Sequence, residues 1–153
     1  MDWPNFIKRY AWDEKRTPYL IRVPNLSKFQ AKKEVFVYAL FVGILFALIT
    51  LTMMAGAKSG VNYKSLGIAF YAFSVFCGAV ILGWHIHPSA ALYVVGAPVA
   101  VFFYLLGDGM GLRLGSLDKV MLMLASMLWL RYSLRVLAIA KAYADMPEEP
   151  EQG

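Results

Sequence analysis

Four apolar stretches follow one another along the chain, each long enough to cross a bilayer. They are 35–57 (VFVYALFVGILFALITLTMMAGA), 66–84 (LGIAFYAFSVFCGAVILGW), 89–106 (SAALYVVGAPVAVFFYLL) and a fourth that starts near Leu117 and runs into WLRYSLRVLAIAKAY. Runs of about 18–23 residues match a hydrocarbon core about 30 Å thick at 1.5 Å rise per residue. In lipid the backbone must satisfy its own polar groups, so the runs predict helices. The alternation that marks a membrane β-barrel is not visible. The connections are short: 58–65, HIHP at 85–88, and a glycine-rich GDGMGLRLGS at 107–116. Short connections make neighbouring helices antiparallel. The expected fold is all-α, an integral membrane four-helix bundle within 35–140. Its spans are 35–57, 66–84, 89–106 and 117–134, the last continuing as a surface helix.

The segments between and beyond the spans carry their own signals. SKFQ at 27–30 has capping-box spacing, so the first helix is expected to begin there, run through AKKE at the surface and enter the bilayer near Val35. Pro88 suits the first turn of the third helix. Pro98 lies inside that helix and is expected to kink it or to free a carbonyl for a neighbour. Residues 1–34 read as an amphipathic and partly extended arm. DWPNFIKRYAW places Trp3, Phe6, Ile7 and Tyr10 on one helical face with Trp12 close behind, while Lys8 and Arg9 point elsewhere. Such a segment either lies among lipid headgroups or packs its aromatics on a partner subunit or on the protein's own helix ends. Pro18 and Pro24 make RTPYLIRVPN extended. Residues 141–153 are acidic and proline-containing and are expected to be a short disordered tail.

Composition supports lipid as the solvent. Apolar residues make up 59% and charged residues 16%, against about 45–50% and about 25% in soluble domains. Eight of the fifteen Lys and Arg fall in residues 1–34, and none in 35–57. Basic residues that flank apolar spans fit anionic lipid headgroups rather than nucleic acid. With four spans both tails share one side, which collects eleven Lys and Arg against four on the other. The bias places both termini in the cytoplasm, with the plasma (inner) membrane as the expected location. The first 34 residues lack the short apolar region of a signal peptide. Cys77 is the single cysteine, so neither an intrachain disulfide nor a cysteine metal cluster forms.

Little of the chain bears chemistry. Arg131 and Arg135 stand at the tail of the last apolar run. If that helix spans 120–140, Arg131 is at its centre, at a cost of roughly 2.5–3.5 kcal/mol, and marks a site. If it spans 117–134, Trp129 and Tyr132 form an aromatic belt, Arg131 snorkels to the headgroups and Arg135 is at the surface. The second reading is favoured, because no acid lies within the other three spans to neutralise the pair. The apolar side chains Leu134, Leu137, Ala138 and Ile139 then need a cover, either lipid or a neighbour.

His85 and His87 are too few and too close to hold a metal or a haem alone, and they read as a polar turn. Met121, Met123 and Met127 read as pliable packing. Gly43-x-x-x-Ala47, Ser74-x-x-x-Gly78 and Gly67 mark faces where helices approach closely. Asp108 caps a turn or sits exposed. No nucleophile triad, HExxH, phosphate loop or intramembrane carboxylate pair is found. The expectation is a non-enzymatic protein without cofactor or metal, an accessory, assembly or scaffold subunit of a larger membrane complex, contacting lipids and other subunits. Two alternatives remain: an oligomeric transporter or channel component using Arg131 and Arg135, and a redox-complex subunit contributing His85 or His87.

Overall fold

The computed structural model describes residues 22–56, 63–106 and 116–148. Four long helices dominate it: α1 (Lys28–Gly56), α2 (Tyr63–Trp84), α3 (Pro88–Leu106) and α4 (Ser116–Ala142). Single 3-10 turns lie at Val23–Asn25 and Tyr143–Asp145, and the described residues contain no strand. Each long helix is apolar enough to cross a membrane. The amphipathic arm residues Trp3, Phe6, Ile7, Tyr10 and Trp12, and Asp108 of the third connection, lie outside the described residues.

The capping box forms as the spacing predicts. The Gln30 N–H donates to Ser27 Oγ at 3.3 Å, and the Ser27 N–H donates to Gln30 Oε1 at 3.3 Å. This satisfies two otherwise orphaned donors and fixes the start of α1. From there α1 runs 29 residues, about 43 Å at 1.5 Å per residue, so it is longer than the hydrocarbon core it crosses. α3 continues past the buried Pro98 to Leu106.

Helices pair along the chain. α1 packs most extensively on α2, and α3 on α4. Small residues set the α1–α2 approach: a Cβ built on Gly83 would lie 3.3 Å from the Ala39 Cβ, and one on Gly43 would touch Ala79 and Phe76. At the α2–α3 contact a Cβ on Gly78 would sit 2.8 Å from Tyr93 Cδ1, closer than real atoms pack, so the absent side chain makes room for the ring. Val35, Val42, Val75, Leu82 and Val94 are sealed between the helices. The outer faces are the reverse of a soluble protein's: Phe41, Leu48, Leu51, Phe70, Leu92 and Leu128 are all exposed. That apolar surface demands lipid or another protein.

Both described chain ends meet at one end of the bundle. The Lys28 N–H donates to the Pro147 carbonyl at 3.0 Å, and Lys28 Nζ pairs with Glu148 at 3.1 Å. The turn Val23–Asn25 packs on α4. Leu26, Ala31, Val136, Ile139, Ala140 and Met146 share the core here. The chain's own entry into α1 thus covers Ile139 and part of Leu137 at the end of the fourth helix, while Leu134 and Ala138 stay exposed. It also changes the reading of the tail. Residues 141–148, taken from composition as the loose start of an acidic tail, are held by helix, a 3-10 turn and these contacts, because Met146 has an apolar socket and Glu148 a lysine.

Candidate functional site

The polar feature of the bundle is a seam between α1 and α4 just inside the joined chain ends. Glu34 was expected on the surface with the rest of AKKE; its side chain is 0% exposed. Arg135, expected at the surface, is 22% exposed and donates from Nε to Glu34 Oε1 at 2.6 Å and from Nη2 to Oε2 at 3.2 Å. This is a bidentate pair, the stronger and more directional form of carboxylate–guanidinium contact. Helical geometry explains the correction. Ala31, Glu34, Val35, Tyr38 and Val42 recur at three- and four-residue steps on one buried face. Lys32 and Lys33 fall on the exposed side.

One turn further along α1, the Tyr38 hydroxyl lies 2.6 Å from Ser133 Oγ. Ser133 donates its own proton to the Trp129 carbonyl at 2.8 Å, so Tyr38 is the donor to Ser133. The Tyr38 ring is 5.7 Å from that of Tyr132, and Phe46 is 6.3 Å from Trp129. Among the described residues no acceptor meets the buried Trp129 Nε1 in hydrogen-bonding geometry. Below this stack α1 and α4 part, leaving an apolar cleft of about 580 Å³ backed by Val101 and Leu105 of α3 and lined by Val37, Phe41, Leu45 and Trp129.

Arg131, one turn before Arg135, is exposed and forms no hydrogen bond or ion pair among the described residues. Its surroundings on α4 are the exposed Val120, Leu124, Met127, Leu128 and Leu134. The two arginines grouped by sequence thus have separate roles in the structure. His85 and His87 form the turn between α2 and α3: both are exposed, and His87 Nδ1 accepts from the Ser89 N–H at 3.3 Å, a contact that helps start α3. The described residues hold no cluster of three or more potential metal ligands.

The small-residue candidates divide. Gly43 and Ala47 line the α1–α2 contact, and Gly78 the α2–α3 contact. Ser74 Oγ lies 2.6 Å from the Tyr93 hydroxyl and donates to the Tyr71 carbonyl at 2.7 Å. Gly67 is exposed, and among the described residues nothing lies within reach of a side chain there. Glu34, Tyr38, Ser133 and Tyr93 escaped the sequence reading. The available signal was the heptad-like step Ala31–Glu34/Val35–Tyr38, which continues the buried face of α1 back through the charged run. No family model, curated protein or solved structure matches the chain.

Proposed function

We propose that the protein is a non-catalytic accessory, assembly or scaffold subunit that docks on another membrane protein through the outer face of α4. The carrying observation is Arg131, a lone exposed guanidinium in an apolar stripe, four residues from an arginine that the fold neutralises internally. A charge so placed costs roughly 2.5–3.5 kcal/mol towards the middle of a helix unless it reaches headgroups or a carboxylate. A partner helix carrying an acid would satisfy it and cover Met127 and Leu134 together. The joined chain ends support the same reading, since they make one end of the bundle a firm platform. The positive-inside bias assigns that end to the cytoplasm, in the plasma (inner) membrane.

Photo-crosslinking from Met127 and Leu134 in native membranes tests this, with Phe70 on α2 as the control position. The reading expects one discrete protein adduct from the α4 positions, none from Phe70, and loss of the adduct in Arg131→Leu. Adducts to lipid alone, or a protein adduct indifferent to Arg131→Leu, refute it.

A further inference from the structure

The cleft between α1, α3 and α4 has an exposed lysine beyond its end nearest the joined chain ends. Its walls are apolar: Val37, Phe41, Leu45, Val101, Leu105 and Leu122. Its lip faces outward, since Val37, Phe41 and Leu122 are exposed. From Tyr132 to Leu122 it extends ten residues along α4, about 15 Å at 1.5 Å per residue. Its volume of about 580 Å³ is that of a small-molecule site. Lys33 is exposed and stands one helical turn above Val37, four residues earlier on the same side of α1. Its Nζ rests 4.0 Å from the centre of the Phe29 ring, which steadies the ammonium without neutralising it. The adjacent carboxylate, Glu34, pairs with Arg135 rather than with Lys33.

We infer that the cleft holds one acyl chain of an anionic phospholipid from the leaflet at the joined chain ends, with the headgroup phosphate on Lys33. The apolar walls take the chain, and the lysine selects the headgroup. A single basic residue at an anionic surface is worth about fivefold in preference. This site is on a different face from Arg131 and does not depend on the subunit reading.

Trp129 lines the cleft and serves as the reporter once Trp3, Trp12 and Trp84 are replaced by Phe. The full chain is placed in phosphatidylcholine nanodiscs that contain either phosphatidylglycerol or phosphatidylcholine with brominated acyl chains, at equal mole fraction. Trp129 is expected to be quenched about fivefold more effectively by the brominated phosphatidylglycerol. Lys33→Gln should bring the two lipids to equal quenching. Ala125→Phe, which fills the cleft from the α4 side, should abolish quenching by both. Equal quenching in the unsubstituted cleft, a preference that survives Lys33→Gln, or quenching that survives Ala125→Phe overturns the assignment. So does absence of quenching by either lipid, the result expected if a protein segment occupies the cleft.

Discussion

Replacing Arg135 by Leu leaves the Glu34 carboxylate buried with its main charged partner gone. At about 3 Å and an effective dielectric near 20 the attraction within the pair is about 5–6 kcal/mol, before the desolvation of both groups is subtracted. Glu34 loses more of its hydration than Arg135, being fully covered against one-fifth exposed. The two single substitutions are therefore unequal. Arg135→Leu should destabilise the fold by about 3–5 kcal/mol, the usual result of stranding a buried charge. Glu34→Leu should cost less, because Arg135 already reaches solvent and can turn towards headgroups. The double replacement by Leu should cost less than Arg135→Leu alone, since no bare charge remains. Reversible unfolding in mixed micelles, titrated with sodium dodecyl sulfate and followed by tryptophan fluorescence, gives the three free energies and their coupling. Single effects each below about 1 kcal/mol that add up in the double variant would refute the argument, because that is how a solvent-exposed pair behaves.

Two further outcomes follow from the packing and the layout. Gly78→Leu should destabilise by about 1–3 kcal/mol by forcing the Tyr93 ring away from Ser74, whereas Gly67→Ala should be neutral or stabilise by up to about 1 kcal/mol, since nothing faces it and glycine disfavours helix interiors; the same unfolding assay compares them. Cysteines placed at Lys32 and Lys141, in a chain whose Cys77 is replaced by Ala, should react with a membrane-impermeant maleimide only when the cytoplasmic face is opened, and reaction of either from the outside would reverse the assigned orientation.

The four helices were legible because lipid imposes a simple rule on sequence: a span must be apolar, uninterrupted and about 20 residues long. The capping box was legible for a similar reason, since both halves of its reciprocal bond lie within three residues. Glu34 and Arg135 are 101 residues apart, and nothing local in AKKE distinguishes the acid from its lysine neighbours except helical phase. That phase was readable, because Ala31 and Tyr38 bracket Glu34 on one face, but charge was allowed to outweigh it. Gly67 shows the opposite error. It shares a helical face with Ser74 and Gly78, yet near its end α2 meets no neighbour there among the described residues. A small-residue pattern states that close approach is permitted, not that a partner is present.

Arg131 and Arg135 differ by one turn of α4 and only about 40° around it at 3.6 residues per turn, yet one is held, partly covered, in a pair and the other faces outward. The difference lies in how much of the α4 circumference is covered at each level. The turn at Val23–Asn25 packs on α4, and Leu26 shares a core with Val136, Ile139 and Ala140, on the Arg135 side of Arg131. Among the described residues, nothing covers Leu128, Arg131 and Leu134 of α4. Glu34, on the buried face of α1, takes up Arg135 and leaves Arg131 offered outward. Removing that carboxylate by Glu34→Leu frees Arg135 and adds a second unpaired cation to the surface of α4. In the crosslinking assay that change should weaken the selectivity of the α4 face, through altered charge at a position the partner never touches.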